Sequence, residues 1–121
     1  MELDRRGDRQ APCPQVITFV VNRFLDARQR EDWSALQELL STRALKTLTK
    51  AFLIQEARFN RFDVVSCQEG ASGSYSVVLR LYPATPGKPP TAYWPENVRL
   101  VPVDNQYKVD DVKRGPLVIG R

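Results

Sequence analysis

The chain of 121 residues contains no histidine. That absence removes Ser–His and Cys–His nucleophilic catalysis, in which an imidazole must activate the nucleophile. It also removes the commonest metal ligand. Cysteine is scarce, with Cys13 and Cys67 alone. Two cysteines without histidine cannot complete a four-ligand zinc site. They can form one disulfide or stay free, and spacing does not decide between these. The local sequence favours a buried Cys67 on a strand and a mobile Cys13 between two prolines. The acidic residues are scattered, whereas a hard cation needs converging carboxylates. No metal and no cofactor is therefore expected.

Long apolar runs are also missing. Nothing approaches the roughly 20 apolar residues that span a bilayer. The opening stretch MELDRRGDRQAPCPQ carries both charge signs and has no apolar centre, so it does not read as a signal peptide. A chain beginning here is expected in the cytoplasm. A piece cut from a longer precursor would instead belong to the cell envelope. A strong excess of one charge is lacking as well. Residues 1–61 hold 11 basic and 8 acidic groups, and the remainder 7 and 6. That balance gives no specific nucleic-acid footprint. No loop has phosphate-cradling spacing, because "GASGS" lies between two strand-like runs.

What is present is patterned. Residues 1–14 show no periodicity and read as a flexible arm, in which Arg6-Gly7-Asp8 is a chance-level tripeptide. From Gln15, residues Ile17, Val20, Val21, Phe24 and Leu25 form one apolar stripe at helical spacing. The charges from Arg28 to Asp32 break it. Asp32 is placed to cap a short helix containing Trp33, Leu36, Leu39 and Leu40. Ser41 or Thr42 caps a third, expected to run to about Glu56 with Leu45, Leu48 and Phe52 aligned.

After Arg58 the period changes to two. Strands are expected around Phe62–Cys67, Tyr75–Tyr82, Thr91–Val103 with a bend near Pro95, and Gln106–Lys113. Gly70-Ala71-Ser72-Gly73 makes a turn, and the prolines of "PATPGKPP" exclude strand or helix interior. Asp104-Asn105 tolerates the positive φ of a tight hairpin. Helices grouped ahead of a hairpin-connected sheet give an α+β domain over 15–121. Its three N-terminal helices pack on a curved four-stranded antiparallel sheet.

That order, together with "VVNRFLDARQREDWSALQELLS" and the closing "NQYKVDDVKR", resembles the nuclear transport factor 2-like (NTF2-like, cystatin-like α+β) superfamily. The similarity is greatest to bacterial lipoprotein or envelope-associated members, and it favours the envelope as the compartment. The resemblance implies a cone-shaped cavity between helices and sheet. It also implies either enzymes of the isomerase, cyclase or dehydratase kind, or binding and assembly modules; fold does not choose between them.

The residues supply one enzymatic reading. Were Tyr107 and Val109 to face the helices, period two would turn Asp111 inward as an acid–base group beside Tyr107, and would leave Asp110 in solvent with Lys108. Adjacent carboxylates cannot pair without a bulge between them. The ordinary alternative is a hydrogen-bonded residue near the strand end. Tyr75, Tyr93, Trp94 and Asp111 are the candidate ligand- or partner-contacting residues. One ring of the Tyr93-Trp94 pair must face each side of the sheet. Arg43, Lys46 and Lys50 form a basic stripe, read as the solvated back of a helix. The expected function is a non-catalytic module binding a small apolar ligand or a protein partner. A homodimer through the open sheet face is a further expectation, and an enzyme acting on an apolar small molecule is the alternative.

Overall fold

A computed structural model describes residues 13–84 and 91–119. The Arg6-Gly7-Asp8 tripeptide, most of the expected arm and most of the proline-rich loop lie outside the described residues. Helix α1 spans Gln15–Gln29, α2 Trp33–Leu39 and α3 Thr42–Thr47, followed by a π-helical turn at Ala51–Gln55. Four strands follow: β1 Phe59–Glu69, β2 Tyr75–Pro83, β3 Trp94–Val103 and β4 Gln106–Arg114. They form one antiparallel meander in the order β1-β2-β3-β4.

The local chemistry explains the helix starts. The Asp32 carboxylate accepts from the Ala35 amide and the Ser41 hydroxyl oxygen accepts from the Ala44 amide. Each satisfies a backbone donor that has no partner within its helix. The third helix is much shorter than the run to Glu56 expected from the apolar spacing. It ends at Thr47, and Leu48 is extended (φ −99°, ψ 130°). Two threonines account for the break. Thr47 donates its hydroxyl back to the Arg43 carbonyl, and Thr49 accepts from the Phe52 amide to start the next turn. Such side-chain bonds compete with a continuing helix. Leu45 is exposed as a result, while Leu48 turns inward.

Ile17, Val21, Phe24 and Leu25 of α1 and Leu36 of α2 pack on Val77, Leu79, Leu81, Val98, Leu100 and Val109 of the sheet. This fills the space beneath the sheet with side chains. The link between α2 and α3 covers the β4 edge, where the Ser41 amide donates to the Val109 carbonyl. A covered edge cannot template pairing with another chain. Asp104 and Asn105 adopt φ of 51° and 68°, which is the hairpin geometry expected of them.

Cys13 and Cys67 are joined in a disulfide. This closes the pairing that spacing leaves open and corrects the expectation of a mobile Cys13, while Cys67 lies on a strand as expected and is half-buried. Spacing could not reveal it, because the two residues meet only when the start of α1 lies over β1.

Candidate functional site

A buried ionic cluster lies where the end of α1, the start of β3 and the end of β4 meet. Arg28 on α1 is 3% exposed and Glu96 on β3 is 1% exposed. The two guanidinium nitrogens of Arg28 donate to both carboxylate oxygens of Glu96, at 2.8 and 2.9 Å. Its Nε donates to the Leu53 carbonyl at 2.8 Å. From β4, Arg114 Nε donates to the same Glu96 Oε2 at 2.9 Å, and its second nitrogen donates to the Phe52 carbonyl. The guanidinium of Arg28 stacks on Phe24 and Phe59, and that of Arg114 on Phe52. Every charge is thus paired and hydrogen-bonded, and both guanidiniums are faced by aromatic rings, as charges this far from water require.

Burial alone would push the Glu96 carboxyl up. The charges and hydrogen bonds of the two arginines outweigh that and hold it below its ordinary 4.5. Arg114 is lowered by burial, with Glu96 opposing the shift.

Apolar spacing does not single out this cluster, because a lone Arg28 after Leu25 reads as the break in the stripe. The signal was nevertheless present. Arg28 lies one helical turn beyond Phe24, on the buried face. Glu96 alternates with buried Val98 and Leu100, and Arg114 lies two residues beyond buried Val112.

The closing strand is also rearranged. Arg99 pairs with Asp111 and Leu100 with Val109, so Asp110 is the extra residue of a β-bulge. Val109 and Val112 both face the core, and the period-two inference for Asp111 fails there. Asp111 is paired opposite Arg99, off the Val98–Leu100 face, and its Oδ1 accepts from the Val112 amide at 3.0 Å. Asp110 is not with Lys108 in solvent. Its side chain is 12% exposed, accepts from the Ser41 hydroxyl at 2.7 Å and pairs with Arg43 at 3.1 Å. Arg43 is therefore tied to β4 instead of standing free in a basic stripe. Asp110→Asn is expected to lower unfolding free energy by about 1 kcal/mol, and Asp111→Asn to change it by less than about 0.5 kcal/mol. Urea denaturation of the two variants checks the order.

The other candidate residues are dispersed. Tyr75 and Tyr107 stack edge to face at 5.9 Å, and the Tyr107 hydroxyl donates to the Gly73 carbonyl. Tyr93 meets Tyr82 at 6.2 Å, carries Arg80 over its ring, and bridges to Val118. Trp94 pairs with Leu81 and packs against the core, so the two adjacent rings take opposite sides of the sheet. The fold joins Tyr75 to Tyr107 and brings neither Tyr93 nor Asp111 to them. Among the described residues, no cluster of three metal-ligating side chains occurs, and no helix is long and apolar enough to cross a membrane.

No protein-family model matches the chain, and no curated protein matches it. Among solved structures, the chain is similar to an NTF2-like protein of unknown function from Shewanella baltica OS155. The TM-score is 0.59 at 9% identity, covering 84% of this chain and 92% of that one. At such identity the likeness speaks for fold alone, and it agrees with the helix order and sheet topology. The chain has the NTF2-like fold, a helical layer set on one face of a bent four-stranded antiparallel meander.

Proposed function

We propose that this domain is a non-catalytic binding or assembly module. One observation carries the reading: the buried acid Glu96 has both oxygens taken by Arg28 and Arg114. A general base works best with a pKa near the operating pH. Glu96 is shifted in the other direction and is fenced from solvent. The cluster therefore supports a structural role for Glu96, the one buried carboxylate among the described residues. Tyr107 is engaged by a backbone carbonyl, and Asp111 is displaced by the bulge. An oxidising compartment such as the cell envelope fits the Cys13–Cys67 disulfide, since such bonds persist there and are rare in a reducing cytosol.

The alternative, an isomerase-like enzyme using Asp111 and Tyr107, predicts proton exchange at carbon acids. Enolisable ketones incubated with the protein in deuterium oxide are expected to show no exchange above buffer by proton NMR. Exchange abolished by Asp111→Asn or Tyr107→Phe would establish the enzyme and end the module reading.

A further inference from the structure

A groove of about 570 Å³ lies outside the packed cone, between α1, the end of α2 and the β3–β4 hairpin. Its volume falls within the roughly 300–1,000 Å³ of small-molecule sites. Val16 and Phe19 of α1 stand at its wall, 49% and 60% exposed, with Leu39 beside them. Val16, Phe19, Val20 and Leu39 line one contiguous apolar wall, and a continuous patch of this kind marks a contact surface where a single exposed residue would not.

The charges that face the groove are Arg23, Lys108 and Glu38. Arg23 stacks over Phe19, and Lys108 donates to the Glu38 backbone carbonyl. The Glu38 carboxylate opposes one of the two cations, leaving a net charge of +1. From this pairing of an apolar wall with uncompensated positive charge, we infer that the groove takes an anionic amphiphile, a free single-chain carboxylate. Its chain lies on Phe19 and Val16, and its head is held by Arg23 and Lys108. Arg23 is suited to the head because a guanidinium matches a carboxylate in two parallel hydrogen bonds. The assignment rests on the binding-module reading and gives that module a ligand class.

Isothermal titration of the full chain with dodecanoate, below its micelle concentration, tests it. Dodecyltrimethylammonium serves as the cationic counterpart of the same chain length. Dodecanoate is expected to bind at one site with a negative heat-capacity change, and at least about tenfold more tightly than the cation. Arg23→Ala with Lys108→Ala should cost about tenfold or more for dodecanoate alone. Arg23→Glu with Lys108→Glu should reverse the preference. Phe19→Ala should weaken both amphiphiles, and all variants are checked for unchanged circular dichroism.

Equal affinity for the two amphiphiles, indifference to the charge variants, or no dodecanoate binding would each overturn the inference. So would binding to phosphatidylglycerol vesicles but not to free dodecanoate, which would place the anion on a membrane surface. Failure here with no proton exchange at carbon acids removes the ligand class and leaves the module reading standing. Proton exchange that depends on Asp111 or Tyr107 removes the module reading itself.

Discussion

Glu96→Ala is expected to destabilise the domain by about 3–5 kcal/mol, because it leaves two buried guanidinium groups without their counter-ion. Arg28 and Arg114 both converge on this one carboxylate. Against a total stability of about 5–15 kcal/mol, the loss is large enough to leave a substantial unfolded fraction. Glu96→Gln keeps the shape but not the charge, and it should fall near the same value. Replacing Arg28, Glu96 and Arg114 together by Met, Leu and Met should cost far less, since a packed apolar triad does not carry the desolvation of three ions.

The pH dependence has a definite sign. The folded pKa of Glu96 lies below its ordinary 4.5, so its contribution is fully present above that value and disappears as pH falls through the folded pKa. Stability should therefore drop below about pH 4.5 in the wild type, and drop less steeply in Glu96→Gln. Guanidinium titrations from pH 7 to pH 3 measure both slopes. A Glu96→Ala loss under about 1 kcal/mol would mean that the cluster does not hold the core together.

Reduction of the disulfide, or Cys13→Ser with Cys67→Ser, is expected to lower stability by about 4 kcal/mol. The bond closes a loop with a sequence separation of 54 residues, and in the chain-entropy account the reduced chain regains that freedom when unfolded. It fastens the residue just before Pro14 and α1 to the inner side of β1, where Cys67 pairs with Val77. Denaturant melts with and without a phosphine reductant give the difference. Native protein is expected to show no free thiol, so two titratable thiols before reduction would refute the bond. Because Cys13 stands two residues before the first residue of α1, the serine variants also test whether α1 frays from its first turn. Hydrogen exchange at Val16–Val20 reads this.

The helices and strands were legible because burial imposes a period on local sequence. Ile17 to Leu25 repeats at helical spacing and Tyr75 to Leu81 alternates, so the side to be buried was written in each segment. The Asp104-Asn105 turn was legible because few residues accept positive φ. Asp32 was legible as a cap because a short acidic side chain before an apolar run satisfies a free amide. Within β4 the same reasoning misled. One extra residue at Asp110 moved every later side chain to the other face, and bulges have no reliable local signature. In α3, Thr47 and Thr49 ended the helix where apolar spacing alone continued it.

The sequence by itself therefore determined the kinds and order of elements, the antiparallel meander and the exclusion of histidine-dependent chemistry, since these follow from residue type and period along the chain. The tertiary structure alone decided which charges became interior. Arg28, Glu96 and Arg114 are separated by 68 and 18 residues, as Cys13 and Cys67 are by 54. A lone charge on an apolar face reads as a break until its partner is in place. Its burial becomes tolerable only when folding brings the opposite charge within hydrogen-bonding distance.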